Sequence, residues 1–306
     1  MHSLFSILSI NGGGILGVGV LWAISQVFAK PKEEFNVFAG TSVGALIIGL
    51  LLVKKDSKTA LKTFLQYYPR IFKKRWPWQL ALGRSKYTND YYKCLKEIFG
   101  DLKCEDVIQR FFITSVRTDG EKGFKVWSNQ DKGVYFRDVM ASSMVAPNFF
   151  ERILIYVKGL YEGCFVDGGL AQNNPSMCAI SALLNDGVDL EHIRCLNFGT
   201  SGKRSGEKLP VRFFRTKMLK WIIENITVWN VQATDYFCRS LLGDRYVSLK
   251  PDNLSHIAMD DVESVDEIIQ IWDGYIAYRK ASMIEFSSGI LMGWDGSSEL
   301  GRSNRD

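Results

Sequence analysis

The sequence predicts an α/β fold in three layers, a mostly parallel central sheet sandwiched by helices, with a helical C-terminal part. Three observations carry this expectation. An apolar run, a glycine turn and an apolar helix follow one another twice near the start of the chain, at 4–28 and at 35–53. The same order returns at 163–185, where a short apolar run enters Asp167-Gly168-Gly169 and a helix follows. A further apolar run at 193–198 ends in Gly199-Thr200. Strands that alternate with helices build parallel sheets, because each crossover helix covers a face.

Each element has a local cause. Residues 4–10 are apolar and stop at Asn11-Gly12-Gly13-Gly14, after which 15–28 carry apolar side chains at helical spacing. Residues 35–39 make a second short strand before Gly40-Thr41-Ser42-Val43-Gly44, and 45–53 continue as a buried helix. From Lys58, the side chains of Leu61, Phe64, Leu65, Tyr68 and Ile71 share one helical face, which Pro69 and then Trp76-Pro77-Trp78 interrupt. A helix is predicted over 90–99, capped by Thr88 or Asn89 and stopped by Gly100. Residues 111–116 and 124–127 are rich in β-formers around Thr118-Asp119-Gly120, and 136–145 return to helical composition. Asn173-Asn174-Pro175 opens a helix that Asn185-Asp186-Gly187 closes. Residues 201–210 are polar and glycine-containing, as expected of a mobile surface connection. Beyond them Val262, Val265, Ile268, Ile269, Trp272, Tyr275 and Ile276 mark a long amphipathic helix. The expected organisation is one domain over 1–292, containing a helical, cap-like segment at 60–100, and a polar, flexible tail at 293–306.

Composition bounds the function. With 306 residues, 46% hydrophobic and 23% charged, the chain can bury a full core. Its longest apolar run, 43–53, has eleven residues, whereas a bilayer span needs about 20. The first nine residues lack a basic leader and lead into a glycine loop, so they read as a strand and not as an export signal. Six cysteines are scattered without C-x-x-C spacing or paired histidines nearby, which points to buried thiols in a reducing cytoplasm and to no metal site. No cofactor is implied. The net charge of +5 is partly local: 70–78 read R-I-F-K-K-R-W-P-W. Basic residues interleaved with aromatics suit an anionic, partly apolar surface, so Arg75, Trp76 and Trp78 are candidate membrane contacts for a cytoplasmic protein that binds membranes peripherally. The competing reading of that stretch is a solvated loop whose tryptophans pack on the core. No nucleic-acid-binding motif accompanies it, so a nucleic acid polymer is not an expected partner.

Three motifs carry chemistry. Gly40-x-Ser42-x-Gly44 lies between a predicted strand and a predicted helix, the context of a nucleophile elbow. A serine forced into so tight a turn brings its neighbours together, and glycine two positions away on each side avoids the clash. Gly12-Gly13-Gly14 places successive N–H groups at the start of a helix, a concave anion site that can serve as an oxyanion hole. Each well-aimed donor is worth about 2.7–4 kcal/mol to a tetrahedral intermediate, and the N–H of Val43 can add another. Asp167-Gly168-Gly169 follows a strand directly, which puts a carboxylate at the sheet edge that also carries Ser42. Taken singly, these are a simple turn, a tight strand-to-helix turn and an Asp-Gly turn. The glycine loop also has a sharper rival: Gly12, Gly14 and Gly17 satisfy G-x-G-x-x-G, with Glu33 and Glu34 near the spacing of a ribose-binding acid, as in a dinucleotide-binding oxidoreductase. An idle lipid-binding module is a third class.

Serine needs a base. The histidines are His2, His192 and His256, none in a recognisable motif, although the order Ser, Asp, His still permits a triad with either of the last two. Otherwise Asp167 takes the proton itself.

Together, G-G-G near the N-terminus, G-T-S-V-G about thirty residues later and D-G-G-L-A-Q-N-N-P resemble the patatin-like phospholipases. Residues 141–147, A-S-S-M-V-A-P, resemble the helix before that family's aspartate loop, and Phe198-Gly199-Thr200 a later core strand and turn, so the resemblance spans roughly 4–278. It implies the three-layer α/β/α fold and a Ser42–Asp167 dyad without histidine. It implies an oxyanion hole at Gly12, Gly13, Gly14 and Val43, with Gly40, Gly44, Gly168 and Gly169 as turn glycines. The implied substrate is a fatty acyl ester of a membrane phospholipid, and bacterial members of the family include nucleotide-activated antiviral effectors, so an activating small nucleotide is a candidate partner. One departure stands out. The family's loop reads G-G-G-x-[RK]-G, whereas Leu16 occupies the basic position here.

Overall fold

The computed structural model describes residues 4–74, 85–120, 123–147, 149–200 and 215–289, with the side chains of 215–224 excepted. Arg75, Trp76 and Trp78, the 201–210 connection and the 293–306 tail lie outside the described residues. The strands are β1 (Phe5–Ile10), β2 (Val37–Gly40), β3 (Arg110–Arg117), β4 (Phe124–Trp127), β5 (Ile153–Val157), β6 (Leu160–Asp167), β7 (Ile193–Phe198) and β8 (Tyr246–Leu249). They form one sheet in the order β5-β6-β3-β2-β1-β7-β8, with β4 also on β3. β1, β2, β3, β7 and β8 run parallel, whereas β4 and β6 run against β3, and β5 against β6. The expected mostly parallel α/β sheet is what forms.

The register has one consequence for the site. Ile113 pairs with both Gly40 and Trp127, and Ser115 pairs with both Lys125 and Asp167. A residue has one partner on each edge, so β4 takes one edge of β3 while β2 and β6 share the other. β2 rises along that edge to Gly40 and β6 descends along it to Asp167. Their C-terminal ends therefore meet head-on, with a single β3 residue between the two levels.

Strand faces explain the layers. Successive side chains alternate, so Leu8, Ile10, Phe38 and Leu196 enter one core while Ile7, Val37, Ile193 and Cys195 enter another. The larger core is covered by α1 (Gly17–Val27), α3 (Val43–Val53), α4 (Ser57–Ile71), α5 (Asp90–Phe99), α6 (Phe136–Met144) and α10 (Val265–Ile276). The smaller lies beneath α8 (Ser176–Asn185) and α9 (Arg215–Leu242). Short α2 (Pro31–Glu34) and α7 (Gly169–Gln172) complete the turns, and α11 (Lys280–Ser288) follows α10. α3 is apolar all round, and it is buried from Val43 to Leu52.

Local chemistry sets the ends. Asp56 caps α4 by accepting from the Thr59 N–H at 2.7 Å, and Pro69 sits in the last turn, so the helix stops at Ile71. Gly100 stops α5 with φ 58°. At its start the Asn89 side chain makes no capping bond to the backbone; Thr88 instead accepts from the Asp90 N–H at 3.4 Å. Within the 60–100 segment, α4 and α5 pack on each other and on α1, α3 and α6. Two strands escaped the sequence reading. β5 is an edge strand joined to β6 through Lys158 and Gly159, both at positive φ, a turn that Lys-Gly encodes weakly. β8 is four residues long inside a helical stretch, and it exists because β7 offers it a parallel edge.

Candidate active site

Ser42 follows β2 and caps α3. Its φ of 55° and ψ of −125° are rarely adopted by a residue with a side chain. Packing enforces this conformation. A Cβ on Gly44 would lie 2.2 Å from the Ile10 carbonyl oxygen, and one on Gly40 would lie 2.7 Å from the Gly44 carbonyl oxygen. The chain can thus approach β1 and fold back on itself only with glycine at both places. The turn is held from inside: Thr41 Oγ1 donates to the Gln172 carbonyl at 2.9 Å and shares a 2.6 Å bond with Thr114 Oγ1. The Ser42 N–H donates to Ser143 Oγ on α6 at 2.8 Å.

The meeting of β2 and β6 delivers a carboxylate to this hydroxyl. Ser42 Oγ donates to Asp167 Oδ2 at 2.6 Å, and the Gly169 N–H donates to Asp167 Oδ1 at 2.7 Å. Gly168 lets the chain turn against β3, since a Cβ there would lie 2.3 Å from the Thr114 carbonyl oxygen. Asp167 is 5% exposed, and among the described residues no cation is paired with it. Burial pushes its pKa up to about 6, and the hydrogen bonds from Ser42 and Gly169 only partly oppose the shift.

The glycine loop closes the third side. Gly12 lies so near the elbow that a Cβ would be 2.9 Å from the Ser42 Cβ. Gly14 has φ 59°, and a Cβ there would meet the Met259 carbonyl oxygen at 2.1 Å. The Gly12 N–H is engaged, donating to the Asn173 carbonyl at 3.1 Å. Among the described residues, the N–H groups of Gly13, Gly14 and Val43 meet no protein acceptor. A narrow cleft of about 30 Å³ opens beside the loop, lined by Gly12, Gly13, Leu16, Asn173 and residues of α9 and the 254–259 stretch. Leu16, at the position where a basic residue was expected, is buried at 2% exposure.

Other sequence candidates fall elsewhere. His192 sits just before β7, at the end of the parallel strands opposite Ser42, beside Asp189 and Glu191. His256 Nε2 bonds to Glu267 Oε1 at 2.8 Å in an exposed position. Both Asp167 oxygens already accept from Ser42 and Gly169, and neither contact involves a histidine. Glu33 and Glu34 precede β2, so they lie at the opposite end of that strand from the glycine loop, where a ribose held near the loop cannot reach them. Among the described residues no cluster of His, Cys, Asp or Glu could hold a metal ion, and no helix is long and apolar enough to cross a membrane. Ser143, Asn173 and Thr200 are site residues that the sequence reading passed over. Each lies inside a motif whose glycine, proline or secondary structure is its more legible feature.

By class, this is an α/β protein with a serine–carboxylate pair at the meeting point of two strand ends, facing open backbone donors. The chain belongs to the patatin-like phospholipase family, whose model matches residues 8–180. It is similar to "Patatin-like protein 2" of Oryza sativa, 27% identical over 212 residues, covering 58% of this chain and 52% of the relative. It is also similar to a "cUMP-AMP-activated phospholipase" of Escherichia coli, 30% identical over 213 residues and covering 63% of each. A "cGAMP-activated phospholipase" of Vibrio cholerae is 25% identical over 236 residues, covering 64% of each. The chain spans about half to two thirds of the length of these relatives.

Proposed function

We propose that the chain is a serine lipid acyl hydrolase that cleaves fatty acyl esters of membrane phospholipids through a Ser42–Asp167 dyad. The single observation that carries this is the 2.6 Å bond from Ser42 Oγ to Asp167 Oδ2, made by a strained serine to a buried carboxylate that has no countercharge among the described residues. Asp167 accepts the Ser42 proton as Oγ attacks the ester carbonyl. The carbonyl oxygen takes the negative charge among the N–H groups of Gly13, Gly14 and Val43, the last aided by the N-terminus of α3. Collapse expels the lysolipid alcohol, which takes the proton from Asp167. Water then attacks the acyl-serine with Asp167 again as base, releasing the fatty acid. A pKa of about 6 suits this role, since the group is ionised at neutral pH yet basic enough to share a proton.

A phospholipid substrate, a peripheral encounter with the membrane from the cytoplasm and activation by a cyclic dinucleotide belong to the same proposal. The phospholipid substrate and the nucleotide activation are supported by family membership and by the names of the two bacterial relatives, whereas the cytoplasmic encounter with the membrane rests on the composition of the sequence alone.

The test is product analysis by mass spectrometry from mixed phospholipid liposomes, with and without a panel of cyclic dinucleotides. Ser42→Ala should release no fatty acid, and Asp167→Asn should be slower by at least about 10⁴-fold. Undiminished release by either folded variant would remove the dyad.

A further inference from the structure

We infer that Thr200 and Asn173 are positioning residues that aim the Gly13 N–H at the oxyanion, and that α9 holds Asn173 in place through Asn230. The inference rests on the reading under Proposed function. Its starting point is that Gly12 and Gly13 share one peptide unit. In a trans peptide the Gly12 carbonyl and the Gly13 N–H point in opposite directions, so whatever grips the carbonyl aims the donor. The Gly12 carbonyl is gripped twice. Thr200 Oγ1 donates to it from the turn after β7, and Asn173 Nδ2 donates to it at 3.3 Å from the turn after α7.

Those two bonds do more than orient. Hydrogen bonds accepted by a carbonyl polarise the amide and make its N–H a stronger donor, an effect that grows where water is excluded. Thr200 is 1% exposed, and a Cβ on Gly13 would lie 2.1 Å from its Oγ1, so the hydroxyl is packed directly against the loop. The Gly13 N–H meets no acceptor among the described residues, which leaves it available to the oxygen that becomes negative.

Asn173 is in turn fixed from α9. Its N–H donates to Asn230 Oδ1 at 2.8 Å, and Asn230 Nδ2 donates to the Ala171 carbonyl. One turn further along α9, Thr234 Oγ1 accepts from Gln172 Nε2 at 2.7 Å, while the Gln172 carbonyl accepts from Thr41 beside the nucleophile. The turn at 171–173 thus touches the elbow, the glycine loop and α9 at once. Displacement of α9 would release Asn173 and reorient the Gly13 donor without touching Ser42 or Asp167.

The test uses the full chain with a soluble p-nitrophenyl ester and an alkyl trifluoromethyl ketone, which Ser42 would add to as an oxyanion mimic. Thr200→Val keeps the shape and removes the donor, whereas Thr200→Ser keeps the hydroxyl. Thr200→Val should lower kcat by about tenfold and weaken the ketone by the same factor, with KM unchanged and Thr200→Ser near wild type. Asn230→Ala should do the same to a smaller extent, and Asn173→Ala carries the test if Thr200→Val does not fold. Unaltered kcat, or equal losses in the Val and Ser variants, would overturn the inference. Turnover surviving in Ser42→Ala would instead reject the reading of the site and be recognised as such, because that control does not involve Thr200.

Discussion

Two buried aspartates lie on opposite sides of the 167–176 turn, and the fold treats them differently. Asp235 on α9 is 9% exposed and accepts from Tyr246 Oη at 2.6 Å and from Asn174 Nδ2 at 3.0 Å, with Lys250 Nζ 3.3 Å away. Asp167 is buried as deeply and accepts two hydrogen bonds, but it has no cation partner among the described residues. A carboxylate whose task is to tie α9 to β8 is neutralised, because an unpaired buried charge is costly. A carboxylate that must gain and lose a proton cannot be neutralised without losing its basicity. The contrast agrees with the proposed role of Asp167 as the base.

Substitution at Asp167 breaks the comparison most directly. Asp167→Asn should lower ester turnover by at least about 10⁴-fold, since amide nitrogen cannot take the Ser42 proton. The same variant should be more stable than wild type at pH 8. Asp167 has a folded pKa raised from the ordinary 3.8 to about 6, so its favourable contribution is present below about pH 3.8 and is lost as pH rises through about 6. Above that the folded protein bears the cost of an ionised buried carboxylate, up to about 3 kcal/mol. Denaturation with urea should show a gain for Asp167→Asn at pH 8 that shrinks by about two thirds at pH 4.5. Equal stability at both would show that Asp167 does not carry that strain.

At the other carboxylate the sign reverses. Lys250→Met leaves Asp235 without its cation, and the protein should be less stable by about 1–2 kcal/mol, a figure reduced because the lysine is partly exposed. A melting temperature no lower than that of wild type would mean that Tyr246 and Asn174 suffice for Asp235, and the comparison would lose its structural half.

The same contrast measures what the sequence could convey. Gly40, Gly44 and Gly14 were legible because a backbone approach or a positive φ leaves one residue type able to fill each place, and Gly12 because the Asn173 and Ser42 side chains crowd it. Ser42 was legible through Gly40 and Gly44, and Asp167 through Gly168 and Gly169, each beside a turn with a narrow steric solution. Ser143, Thr200 and Asn173 carry no such mark. A threonine at position 200 looks like any strand-end threonine until folding brings it against Gly12, 188 residues away. For the same reason three glycines in a row did not reveal which N–H would be spent: Gly12 donates to Asn173, and among the described residues the open donors begin at Gly13. The head-on meeting of β2 and β6 depended on an edge shared across β3, which no local pattern encodes.

The smallest expected effect sharpens the comparison furthest, because it asks which group titrates. With a soluble ester, kcat/KM should fall about tenfold per unit of pH below roughly 6, as Asp167 takes up one proton and loses its capacity as a base. An ordinary histidine would give a limb near the same pH, so its position alone does not distinguish the groups. Temperature does, since ionisation of a carboxyl group carries little enthalpy whereas that of an imidazolium carries much. The midpoint should therefore stay nearly fixed between 10 and about 30 °C, and it should be unchanged in His192→Ala and His256→Ala. A midpoint that drops steeply on warming, or a limb that disappears with His256, would transfer the role of base to a histidine. Asp167 would then be an orienting partner, and its countercharge would be the imidazolium formed when that histidine takes the Ser42 proton.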